Sequence, residues 1–278
     1  MIAWLTSSIT RALLLGVILL FAPCAYAAFP SITDTETSLT ASDSTSHTIN
    51  FPTYAAGELV IVQATCDGNP TFTWASGWTS IIADVANGTA VRTGVRRRIM
   101  DGSEGSSMSF TTSNAQECVF IAITVTGYDT TTPIVGAAST TDTGSTPDPP
   151  NSNPGVAADY KWIEGFGADD DDADATYWSM SFTGVAQVES SSTTTSCMEA
   201  MAYRDLNASS LNPGVMNMTA EEEWVAFTFA INPGSGGLAT PTPTRTATAT
   251  PTATSTPTPT ATPAPVAIRL LPATGVGK

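Results

Sequence analysis

The chain has 278 residues, ten Lys/Arg against twenty-five Asp/Glu, and a formal charge of −15. Between Ala28 and Gly237 only Arg92, Arg96, Arg97, Arg98, Lys161 and Arg204 oppose all twenty-five carboxylates, a net −19. Such a surface repels nucleic-acid phosphates, which excludes DNA and RNA as partners, and its acidic, Lys-poor character suits a saline medium.

The first segment reads as an address. Arg11 precedes an apolar run from Ala12 to Ala22, followed by the small-x-small site Ala25-Tyr26-Ala27. That is the layout of a secretory signal peptide over 1–27, and its apolar part is short for a bilayer span. Cys24 follows Pro23, where lipoprotein processing wants a small residue. The mature chain is expected outside the cell or on its surface, with no membrane insertion after cleavage. Export leaves Cys66, Cys118 and Cys197, an odd number that implies one bridge and one thiol. No CxxC pair occurs and His47 is the sole histidine, so a structural zinc site is disfavoured.

From there to about 233 the pattern is β-rich and almost free of helical periodicity. The expected strands are 47–51, 58–66, 78–86, 90–100, 107–112 and 118–128, with Asn87-Gly88 as a hairpin turn. Cys66 ends one of these runs and Cys118 begins another. If the two are antiparallel neighbours their ends meet, giving a Cys66–Cys118 bridge and leaving Cys197 unpaired.

The pattern then repeats about a hundred residues later. Residues 159–167 match 58–66, 182–190 match 78–86, 196–205 match 94–101, and 221–231 match 115–125. In the last pair Val119, Ile121, Ile123 and Val125 keep phase with Val225, Phe227, Phe229 and Ile231. Shared phase at period two implies that both strands bury the same side in one core. The expected fold is therefore all-β: one antiparallel β-sandwich of jelly-roll type over 28–233, built from similar halves at about 47–135 and 156–233. The Pro-rich stretch 139–155 is read as the crossing between them.

Pro52, Gly57, Leu59, Gly77, Trp78 and Thr79 carry a "P…aGD-L-apolar…P-x-GW-T-x-apolar" pattern, with Glu58 at the usual Asp. This resembles a β domain of phage virion and secreted bacterial proteins, over roughly 29–233. The resemblance implies a surface-displayed structural or adhesive module, with an envelope or virion component as partner. It brings no catalytic residues.

Within the second half, Gly167–Trp178 reads GADDDDADATYW and is expected as a loop. Asp170, Asp172 and Asp174 could converge on one Ca²⁺, but EF-hand spacing is absent and charge runs mostly just face water. Trp74, Tyr177 and Trp178 fall in equivalent loops of the two halves and could stack on a surface glycan.

Signs of catalysis are sparse. There is no GxSxG, HExxH, P-loop or GxGxxG, and His47 is the sole candidate base. A glycosidase needs two carboxylates flanking the sugar. Glu164 shares a strand face with Tyr160, Trp162 and Phe166, and Glu199 shares one with Cys197, Met201 and Tyr203. On neighbouring strands they would form such a pair; otherwise each is a strand-end acid. Arg96 and Arg98 should form surface ion pairs, with Arg97 turned to the other face.

After Asn232–Gly237 comes a Thr/Pro-rich stretch to 265, in which proline forbids helix and central strand. An extended stalk is expected, open to O-glycosylation. The final segment, 266–278, contains Leu271-Pro272-Ala273-Thr274-Gly275, which resembles an LPxTG sorting signal. That signal continues with an apolar span and a basic end, whereas only Val276, Gly277 and Lys278 follow here. Either the sequence stops short or the match is accidental.

Overall fold

A computed structural model describes residues 28–170, 175–179, 181–190 and 196–234. The chain divides into two units, Met1–Thr240 and Pro241–Lys278, and the described residues all belong to the first. The expected signal segment, the stalk and the LPATG sequence lie outside the described residues.

The first half supplies β1 (Ser31–Asn50), β2 (Leu59–Asp67), β3 (Phe72–Thr73), β4 (Thr79–Asn87), β5 (Val91–Ile99) and β6 (Ser107–Thr126). They form one antiparallel sheet in the order β1-β6-β2-β5-β4, with β3 paired to β6. The second half supplies β7 (Ile134–Gly144), β8 (Ala158–Asp170), β9 (Ala175–Tyr177), β10 (Thr183–Glu189), β11 (Ser196–Ala208), β12 (Asn217–Met218) and β13 (Glu222–Ile231). Here the order is β7-β13-β8-β11-β10, also antiparallel, and β9 pairs with β12 alone. Replacing β1, β2, β4, β5 and β6 by β7, β8, β10, β11 and β13 turns one order into the other.

The duplication extends to register. Ile61 pairs with Ile123, and Ile163 with Phe229. Gln63 pairs with Val95, and Gly165 with Met201. Even an irregularity is copied: pairing slips between Ser80 and Ile82 in β4, and between Gly184 and Ala186 in β10. One expected alignment is corrected. Matching 159–167 to 58–66 is one residue out, because Ile163 is the counterpart of Ile61. Glu164 therefore answers Val62, not Gln63. Leu59, Val60, Ile61 and Val62 are apolar on both faces, and the second run mixes Lys161 and Glu164 with Trp162 and Ile163, so neither pattern fixes phase, and a one-residue slip inverts every side chain.

The two sheets bury a common interior. Leu59, Ile61, Val95, Ile121 and Ile123 pack with Ile163, Met201, Phe227, Phe229 and Ile231 in one cluster. The shared phase of the two last strands is thus real: alternate residues of β6 and β13 meet in the middle. A buried Phe here is worth about 2 kcal/mol over an exposed one. The outer faces are covered too. Val60, Val62, Phe110 and Phe120 pack under the first sheet's loops, and Phe166, Met198, Met216 and Trp224 under the second's. That second covering is why β2 and β13 are buried almost without alternation.

Cys66 and Cys118 face each other across β2 and β6, with Cα atoms 4.1 Å apart, and form the disulfide. Their counterparts in the second sheet are Ala168 and Trp224, also directly paired. Cys197 is buried and unbridged.

Three expectations about extent need correction. β1 runs back to Ser31, far beyond 47–51; its Ser/Thr-rich, largely exposed pattern marks an edge strand rather than a core one. Residues 139–144 belong to β7, not to the crossing. The GADDDDADATYW stretch is not one loop: β8 continues to Asp170, and Ala175–Tyr177 forms β9.

Candidate functional site

The sequence nominates Glu164 and Glu199, and the strands that carry them, β8 and β11, are neighbours. The register nevertheless separates them. Glu164 pairs with Ala202 and Glu199 with Gly167. Directly paired residues share a face, and 164 and 167 are an odd number of residues apart, so the two acids project from opposite faces of the sheet. They do not form a pair that could flank a glycosidic bond. Register is set by cross-strand pairing, which the spacing of the acids along the chain does not reveal.

Glu164 lies on the outer face, fully buried. The Ser179 hydroxyl donates to its Oε2. Its Oε1 has no partner, and neither has Oγ1 of Thr228, the residue directly across on β13. Burial lifts the carboxyl to about 7, against the Ser179 hydroxyl and backbone amide, which favour the charged form. A carboxyl tuned to neutral pH is a competent proton carrier. Ser179, itself only 2% exposed, closes over it.

Glu199 points inward between the sheets beside the Thr65 hydroxyl and the Ile121 amide, but neither of its oxygens reaches full hydrogen-bond geometry. Around Gly167, its partner, sit the hydroxyls of Thr65 and Thr93, 3.0 Å from each other. The Gln63 amide donates to the carbonyl of Phe166 at 2.8 Å, and its own oxygen is unpaired. Burial pushes Glu199 well above the usual carboxyl range, with the Thr65 hydroxyl and Ile121 amide pulling the other way. The Cys197 thiol is likewise pushed up by burial and lies 3.5 Å from the carbonyl oxygens of Thr65 and Glu117. A thiol held neutral out of water is not a nucleophile. Gln63, Thr65 and Thr93 were not singled out from sequence. Their signal is the break from Leu59 and Ile61 to Gln63 and Thr65 along one face of β2.

His47 is 3% exposed, with Nδ1 3.1 Å from Thr40 Oγ1 and Nε2 3.2 Å from Thr112 Oγ1. Burial lowers its pKa. The nearest thiol position, Cys118 at 3.6 Å, is spent in the disulfide. The histidine is therefore an enclosed edge-strand residue between two threonine hydroxyls and a disulfide sulfur.

The loop aromatics have separate fates. Trp74 is half-buried and held in place: its Nε1 donates to Asp84 at 3.2 Å, Arg96 lies 5.3 Å above its ring, and Phe110 packs edge-on at 5.0 Å. Trp178 is half-buried against the cluster of Phe166 and Met198, and Gly184 has no room for a Cβ because the indole fills it. Of Tyr177 only the backbone, paired to Asn217, is described. Asp172 and Asp174 lie outside the described residues, and of Asp170 again only the backbone is described. A different acidic group does form: carboxylate oxygens of Asp169, Glu222 and Glu223 lie within 4.8 Å of one another. It joins the end of β8 to the start of β13, so spacing along the chain does not reveal it. Arg96 pairs with Asp84 at 2.8 Å and Arg98 with Glu104 at 3.0 Å, as alternation along β5 suggests.

No family model, curated protein or solved structure matches this chain.

Proposed function

We propose that the chain is an exported, non-enzymatic β-sandwich with a structural or adhesive role, displayed at a cell or virion surface on its Thr/Pro stalk. The opposed facing of Glu164 and Glu199 carries this reading, because the acids best placed for sugar chemistry cannot act on one bond. The other reactive groups, Cys197 and His47, are enclosed by packing. The Cys66–Cys118 bridge suits an oxidising compartment, and the apolar run before Ala25-Tyr26-Ala27 suits export to one. We read the fold as a doubled five-strand unit, each copy forming one sheet, rather than as an interleaved jelly roll. The residues shared with virion and secreted β domains fit such a framework: Gly57 and Gly77 turn the chain at positive φ, and Trp78 packs 5.7 Å from Phe51.

The test is fractionation of the source cells and virions with an antibody to the sandwich, combined with assay of the purified chain on chromogenic glycosides. Surface or virion recovery with no hydrolysis is the expected result. Hydrolysis that is lost in Glu164→Gln or Glu199→Gln would overturn the reading. Carbohydrate binding without cleavage is a second reading. It is favoured by a polar groove between the sheets, beside β1.

A further inference from the structure

The groove beside β1 is where the two copies part company. In the duplicated register, Leu59 opposite Ile99 becomes Lys161 opposite Asp205, and Arg97 becomes Tyr203. The copies agree in strand order, in pairing and in the slip within β4 and β10, so this divergence is local. In the first copy the position is apolar, with Leu59 buried and Ile99 38% exposed, so the framework does not require a charged pair here. Lys161, one of only six Lys/Arg in the acidic domain, is 4% exposed. Its Nζ lies 2.5 Å from Asp205 Oδ1 and 4.2 Å from the centre of the Tyr203 ring. Enclosing an ammonium is costly, and such a pair gives a fold little that apolar residues would not. A cavity of about 340 Å³ opens at this point. Ser31 and Thr35 of β1 line one wall, while Ile32 and Val185 supply apolar surface.

We propose that this corner binds a neutral saccharide, an inference that rests on the carbohydrate-binding reading above. Charge selects the class. Asp205 already neutralises Lys161, and the acidic domain repels free anions. A cation would meet the Lys161 ammonium inside the cavity. What remains is a ligand that donates and accepts hydrogen bonds without charge and offers C–H surface. Asp205, its side chain 41% exposed, accepts; Thr35 and Ser31 both donate and accept. Tyr203, Ile32 and Val185 take the apolar face of a sugar ring. The volume lies at the small end of ligand cavities, which favours a short saccharide over a long chain.

Saturation-transfer NMR on the mature chain tests this, with glucose, galactose, mannose and N-acetylglucosamine as probes at millimolar concentration. Transfer to at least one sugar is expected. The double variant Lys161→Leu with Asp205→Ile writes the first copy's own pair into the second, and should abolish transfer while keeping a native melt. Thr35→Val, on the opposite wall, should weaken binding severalfold; should the double variant fail to fold, this variant alone decides. Transfer to no sugar, or transfer unchanged in both variants, overturns the proposal. Transfer that survives both but vanishes in Trp178→Ala also overturns the corner, yet leaves the carbohydrate reading standing.

Discussion

The buried carboxyl of Glu164 makes the sandwich less stable as the solution becomes more alkaline. In the unfolded chain this group titrates near 4.5; in the fold, burial lifts it to about 7. A carboxyl raised in the folded state binds its proton more tightly there. Its contribution to stability is therefore complete below 4.5 and is lost as pH rises through 7. A rise of that size corresponds to about 3 kcal/mol. Glu164→Gln is nearly isosteric, can still accept from Ser179, and carries no titratable proton. Its amide also offers a donor toward the unpaired Oγ1 of Thr228. The assay is urea unfolding of both proteins from pH 4 to pH 8.5. Between those limits the wild type should lose about 3 kcal/mol relative to Glu164→Gln, most of it between pH 4.5 and 7. Taking the difference removes Glu199, whose raised pKa bends both curves alike. Parallel curves for the two proteins would refute the reasoning, since they would mean that Glu164 is as well solvated folded as unfolded.

Two further outcomes follow from packing and covalent structure. Replacing Cys66 and Cys118 by Ala opens a 52-residue link, and the chain-entropy relation sets the loss at about 4 kcal/mol by urea unfolding; unreduced peptide maps should join those two and leave Cys197 alkylated only after denaturation. Gly167→Ala should cost about 1–3 kcal/mol by thermal or urea melts, because its Cβ would stand 2.2 Å from both Thr65 Oγ1 and Thr93 Oγ1. The control is Gly88→Ala in the β4–β5 turn, where nothing lies within 4 Å and only the positive φ is strained.

Where large apolar residues alternate with small ones, as Phe227 and Phe229 do with Ala226, Thr228 and Ala230, phase was readable from sequence even though both faces are buried. The phase of Ile121 and Ile123 against Phe227 and Phe229 predicted the common interior, and strand ends predicted the Cys66–Cys118 bridge. Where no such alternation exists, phase disappears: β2 opens with four consecutive apolar residues, β8 mixes Lys161 and Glu164 with Trp162 and Ile163, and their expected alignment slipped by one. That slip reached the candidate site, because it made Gln63 the counterpart of Glu164; the opposed facing of Glu164 and Glu199 was hidden separately, in the β8–β11 register. Edge strands were lost as well. Most of β1 is Ser/Thr-rich and exposed, and β7 runs from Ile134-Val135-Gly136-Ala137-Ala138 into a Ser/Thr-rich end, so neither shows apolar alternation along its length. The Lys161–Asp205 corner was also out of reach: the two lie 44 residues apart and meet only through the β8–β11 register.

The centre of the interface shows why the two copies could not stay alike. β1 lies against β10 as β7 lies against β4, and β2 against β11 as β8 against β5. That reciprocity is the mark of a two-fold relation between the sheets. On such an axis a position meets its own counterpart. Thr65 does so: its counterpart is Gly167, and its hydroxyl fills the space where a Gly167 Cβ would stand. Two identical threonines at this position would collide and two glycines would leave a void, and the unlike pair avoids both. One strand over, Thr93 answers Glu199 by register, and the Thr93 hydroxyl too lies against Gly167. The hydroxyls of the first sheet lie over the bare backbone of the second, and the Glu199 carboxyl is shut in beside them. Neither half can then be exchanged for the other, and the polar layer at Gln63, Thr65, Thr93 and Glu199 follows from fitting unlike copies about an axis that like copies could not fill.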